Sequence, residues 1–178
     1  MLGYSPLKAG IAFLPVAAAI AVGSYGADRA VPRFGSPKTA LFGLGLSLLG
    51  VLWLIRLSVA GNYAVSLLPG MVAVFLGMGL SYVPLMVMAT SVAAEDEGLA
   101  SGMVNAASNI GGAIGLALVV SVAAERTASA TSGGASDVHA LVEGYRLGFV
   151  VCAVIVLMGI ALVAVLGREG DVGGVGKV

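Results

Sequence analysis

The stretch LGFVVCAVIVLMGIALVAVLG, Leu147–Gly167, holds no charged residue and only one side chain, Cys152, that is not fully apolar. A bilayer's hydrocarbon core is roughly 30 Å thick, so one helical crossing needs about 20 apolar residues. The stretch has that length. Four further charge-free runs precede it, over Ala9–Ala27, Thr39–Ile55, Leu57–Ala94 and Gly98–Ala124. The chain's nine basic and nine acidic residues all fall outside these runs. A charge at the bilayer centre costs at least about 2.5–3.5 kcal/mol on insertion scales, which accounts for that exclusion. The fold class expected is all-α, a polytopic membrane helix bundle.

Composition agrees. Of 178 residues 59% are hydrophobic and 10% charged, against about 25% charged in soluble domains. Net charge is zero, which gives no basic footprint for nucleic acid. A lone cysteine, Cys152, and a lone histidine, His139, cannot build a disulfide or a metal cluster within one chain. No cofactor and no metal are expected. Intramembrane enzyme chemistry is excluded on the same ground, because the spans contain no Asp, Glu, His, Lys or Arg to act as base or ligand. Lys8 followed by an apolar run has the outline of a signal peptide. That run is long, contains Pro15 and is followed by four more, so it reads as a span.

Five spans are expected, over residues 10–26, 39–55, 64–90, 99–123 and 147–166, in one transmembrane domain covering 1–168. The third run is too long for one span and too short for two, and Gly61-Asn62 marks a turn before Ala64. Ala27–Lys38 and Glu125–Gly144 read as polar loops, and 169–178 as a disordered Gly-rich tail. Tyr4, Tyr25, Trp53, Tyr63 and Tyr145 lie near span ends, as an interfacial belt requires, and Tyr82 does not. Positive-inside counting gives five basic residues against four and does not orient the chain. The densest basic loop, Arg29/Arg33/Lys38, favours a cytoplasmic Ala27–Lys38.

Polar residues are concentrated in three places. In the first loop, Asp28 stands beside Arg29 and Arg33 in a Gly/Pro-rich turn, which reads either as paired charges capping two helices or as a solvated loop. In the fourth span, Ser101, Asn105, Ser108, Asn109 and Gly112 share a helical face. Gly98/Gly102 and Gly111/Gly115 form GxxxG pairs, the spacing that lets membrane helices approach closely. Amides in hydrocarbon need partners, so this face reads either as glue between helices or as the lining of a cavity or gate. Asn109 is about 15 Å beyond Leu99 at 1.5 Å per residue. In the third span, Pro69-Gly70, Gly77-Met78-Gly79, Ser81-Tyr82 and Pro84 suggest an interrupted helix, with Ser81 and Tyr82 as candidate cavity residues. The second and fifth spans have almost no polar interior and read as peripheral and lipid-facing.

These segments together resemble the C-terminal part of a major facilitator superfamily transporter, and within it the fourteen-span drug:proton antiporters of multidrug efflux. Gly3–Pro15 resembles that family's entry into a late span. Gly26, Asp28, Arg29, Arg33 and Gly35 resemble, in loosened form, the superfamily's cytoplasmic Gly-x-x-x-Asp-Arg loop signature. Gly98–Gly115 is similar to the family's penultimate span, except that Ser108-Asn109 stands where many members carry Arg-Gln. The resemblance implies part of the C-terminal half of a major facilitator fold in the cell membrane. It also implies a small hydrophobic substrate in the intact transporter. The partners implied are the lipid bilayer and either the N-terminal half or another membrane subunit. That half carries the family's coupling carboxylates, so the chain alone is expected not to transport. The competing expectation is a small accessory or anchoring membrane protein that packs against a partner.

Overall fold

The computed structural model describes residues 6–56, 67–90, 97–134 and 136–173. They form five helices: α1 (Pro6–Phe34), α2 (Ser36–Ile55), α3 (Leu68–Ala89), α4 (Glu97–Ser132) and α5 (Asp137–Gly173). Among the described residues, α2 to α5 are long and apolar enough to cross a membrane. The first expected span, 10–26, lies within α1. The expected start of the third span near Ala64 lies outside the described residues.

Three expected boundaries are corrected. The loop over 27–38 is helical except at Gly35, which alone separates α1 from α2. Gly35 has φ +82°, a conformation open mainly to glycine. Its carbonyl accepts from the Thr39 amide at 3.2 Å and the Thr39 hydroxyl at 2.8 Å, and Pro37 presets the first turn of α2. The linker over 125–144 is a helical hairpin whose break is confined to the residues around Gly134, at φ +86°. Its hydroxyls stay on their own helix: Thr127 donates to the Ala123 carbonyl, Thr131 to Thr127 and Ser132 to Ala128. Alanine-rich sequence favours helix over loop, and these hydroxyls find acceptors on the helix itself. α5 also continues to Gly173, so 169–173, expected to be disordered, is helical. Residues 174–178 lie outside the described residues.

α3 lies between α1 and α2, α2 also packs on α5, and α5 carries α4. α3 and α4, though consecutive, touch only slightly. The core is made of small groups. Ala27 and Ala40 are fully covered, and Pro84 is the largest side chain among those with essentially no exposure. Glycines replace bulk at the crossings. A Cβ on Gly43 of α2 would lie 2.7 Å from the Gly77 carbonyl oxygen, and one on Gly50 would lie 2.7 Å from the Gly70 carbonyl oxygen. Gly23 of α1 and Gly79 of α3 approach the facing backbone as closely. In lipid, where apolar burial drives little association, such backbone approach is the main source of helix packing.

This corrects the reading of α2 as lipid-facing. Its Thr39, Ala40, Gly43, Ser47, Gly50, Val51 and Leu54 form a buried face, while Phe42 and Leu49 point outward. The face is apolar but small, which a search for polar residues passes over. α3 runs unbroken through Pro84 rather than being interrupted.

Candidate functional site

The glycine-rich, polar face of α4 is uncovered. From Gly98 to Ile114 every residue is exposed except Ala100 and Val104, which are half-buried. A Cβ at Gly98, Gly102, Gly111, Gly112 or Gly115 would meet nothing within 4 Å. The two GxxxG pairs therefore pack against no helix among the described residues. The glycines that do pack lie on α1, α2, α3 and α5. Their signal in the sequence was the small-residue spacing Gly43/Ser47/Gly50 facing Gly70/Gly77/Ser81, together with Gly144/Gly148 on α5.

Within that face, Asn105 and Asn109 form an i, i+4 pair. The Asn109 Nδ2 donates to the Asn105 carbonyl at 2.9 Å and to the Asn105 Oδ1 at 3.4 Å. The Ser108 hydroxyl donates to the Val104 carbonyl at 2.8 Å. The helix holds these groups ready but leaves their outer sides uncovered. The lower half of α4 differs. There Gly144 and Gly148 of α5 lie close to Ala123 and Val119, and Arg126 pairs with Glu143 at 2.8 Å.

The four residues expected to line a cavity do not stay together. Tyr82 is 57% exposed and shares the open face of α3 with Met78. Ser81 points the other way. It is 3% exposed, sits against Gly43, and donates to the Gly77 carbonyl at 2.7 Å. Its hydroxyl is spent inside the α2–α3 contact. The two asparagines lie on α4, which barely touches α3.

The loop-signature residues form the last turns of α1 and its junction with α2. Gly26 faces the Leu80 side chain of α3, where an added Cβ would sit at ordinary contact distance of 3.5 Å. Asp28, Arg29 and Arg33 are exposed. Asp28 makes no ion pair among the described residues, so the paired-charge reading of this segment does not hold. The reason is the helix: charges pair at i+3 or i+4, and from Asp28 those positions are Val31 and Pro32. Arg29 reaches back four residues instead, donating to the Tyr25 hydroxyl with its guanidinium carbon 3.7 Å from the ring centroid. Beside this junction, Ala30, Phe34, Lys38, Thr39, Phe42 and Leu80 line an apolar groove of about 490 Å³.

Comparison with known proteins agrees with this architecture. The family model described as Major Facilitator Superfamily matches residues 1–116. The puromycin resistance protein pur8 of Streptomyces alboniger is 36% identical over 171 residues, covering 93% of this chain and 34% of that protein. The cephamycin export protein CmcT of Amycolatopsis lactamdurans is 34% identical over 171 residues, 93% of this chain and 33% of its own length. The multidrug resistance protein Stp of Mycobacterium tuberculosis is 37% identical over 123 residues, 68% of this chain and 22% of its own. The chain thus spans about a third or less of the length of these curated relatives. With its multiple membrane-spanning helices and a family match over more than half its length, the chain is an integral membrane protein that belongs to the major facilitator superfamily.

Proposed function

We propose that this chain works as the C-terminal portion of a proton-coupled efflux transporter for small hydrophobic compounds, that it is not an enzyme, and that it does not transport on its own. The uncovered α4 face carries the reading. An amide moved into an environment without hydrogen-bond partners costs roughly 2–7 kcal/mol, depending on the reference. Two asparagines at membrane depth on a face of small residues therefore call for a covering protein surface or a wet cavity. The names of the relatives, all resistance or export proteins, support efflux as the activity in which that cavity takes part. Their greater length supports further helices as the covering surface.

In the assembled transporter Tyr82 and Asn109 line the cavity, one from α3 and one from α4. The test replaces Cys152 by Ala, introduces cysteine at either position, and supplies the N-terminal portion of a relative in the same membrane. A membrane-impermeant thiol reagent is expected to label both positions from one side. Absence of labelling at both positions from either side contradicts the assignment.

A further inference from the structure

At the end of the bundle where α2 finishes, α4 and α5 form a second, shallow and open cleft of about 290 Å³, lined by Arg126, Glu143, Arg146, Leu147 and Val150. We propose that this cleft binds the phosphate of an anionic phospholipid, with the acyl chain running along Leu147 and Val150.

The sequence sets the depth. The charge-free runs end at Ala124 on α4 and begin at Leu147 on α5, so Arg126 and Arg146 stand at the membrane boundary, where lipid phosphates lie. Leu147 and Val150 are the first turn below it, 38% and 40% exposed. A charged rim above an apolar wall selects an amphipathic ligand over a free ion.

Both guanidiniums are already oriented. The Arg126 Nη2 lies 2.8 Å from Glu143 Oε2, and the Arg146 Nε donates to the Ile55 carbonyl at 3.0 Å. Each guanidinium has five N–H donors in a planar fork that suits a phosphate bidentately. The cleft holds two cations and one carboxylate, net +1. Arg56, at the C-cap of α2 directly after Ile55, adds a further positive charge at this end. Glu125 is exposed but is not among the lining residues. A lipid seated here would join α2, α4 and α5 at the end where α4 otherwise rests on α5 alone.

The test is native mass spectrometry of the whole chain released from micelles doped with phosphatidylglycerol or phosphatidylcholine of equal chain length. Phosphatidylglycerol is expected to be retained preferentially. Arg126→Gln and Arg146→Gln are each expected to reduce that retention about fivefold, the effect of one basic residue at a charged lipid surface. Lys38→Gln, at the other end of the bundle, is expected to leave it unchanged. Glu143→Gln is expected to raise retention by removing the competing carboxylate, a response that damage to the hairpin would not give. Circular dichroism checks that each variant is folded; Arg126, half-exposed, keeps the test available if Arg146→Gln unfolds. Equal retention of the two lipids, or retention unaffected by Arg126→Gln, overturns the proposal. So does loss on Glu143→Gln. Millimolar inorganic phosphate that displaces the lipid would show a free-phosphate site instead, and would also overturn it.

Discussion

Gly43 of α2 and Gly77 of α3 meet backbone to backbone. A Cβ on Gly43 would lie 2.7 Å from the Gly77 carbonyl oxygen, and one on Gly77 would lie 2.6 Å from the Ser47 amide nitrogen. Neither helix has room to yield, because the contacting atoms are main chain. Substituting Gly43 or Gly77 by Val forces the helices apart. The expected cost is about 1–3 kcal/mol, the range for overpacking a tight core, read as lowered resistance to denaturing detergent. Gly45→Val, on the same helix but with nothing within 4 Å, is the control and is expected to cost far less.

Ser47 tests the polar part of the same contact. Its hydroxyl donates to the Val74 carbonyl at 3.0 Å across the α2–α3 seam. Ser47→Ala is expected to cost only about 0.6 kcal/mol, the average for interhelical hydrogen bonds in membranes. Ser47→Leu is expected to cost several times more, because Gly77 lies against it. The contrast, measured by the same unfolding assay, separates packing from hydrogen bonding as the source of cohesion.

Gly35 tests the junction between α1 and α2. At φ +82° and ψ 160° Gly35 occupies a region essentially confined to glycine, where an L side chain costs of order 1–3 kcal/mol. Gly35→Ala is expected to destabilise by that order and to raise hydrogen exchange at Thr39, whose amide and hydroxyl both bond to the Gly35 carbonyl.

The α4 face gives the opposite prediction for the same kind of substitution. A Cβ at Gly102 or Gly111 would meet nothing within 4 Å among the described residues, so Gly102→Ile and Gly111→Ile are expected to leave detergent stability unchanged or to raise it, since Gly is a poor helix former by about 1 kcal/mol. The same substitutions are expected to abolish assembly with a supplied N-terminal portion, scored by co-purification. Unimpaired co-purification would show that the face is not the contact.

The helices were legible in the sequence because charge exclusion at bilayer scale leaves few alternatives. Their lengths were not. Ala27–Lys38 and Glu125–Gly144 look polar and loop-like, yet each is mostly helix, because arginines, alanines and back-bonded threonines are compatible with helix beyond the membrane edge. The packing was legible only in part. GxxxG spacing marked α4, where nothing among the described residues packs on those glycines, while the α2–α3 seam uses the looser spacing of Gly43, Ser47 and Gly50. A glycine pattern says that a close approach is possible and does not name the partner. Ser81 was misplaced for a related reason: the sequence shows a hydroxyl beside Tyr82, but adjacent residues on a helix point about 100° apart. One faces Gly43 and the other the open side of α3.

In the function proposed above, these five helices form a wall and an interface and not a complete transport path. Proton-driven dye efflux by vesicles that contain this chain alone tests it most directly. With a pH gradient imposed, efflux is expected to match protein-free vesicles and to appear only when an N-terminal portion is co-reconstituted. Gradient-dependent efflux from vesicles holding the chain by itself would contradict the claim.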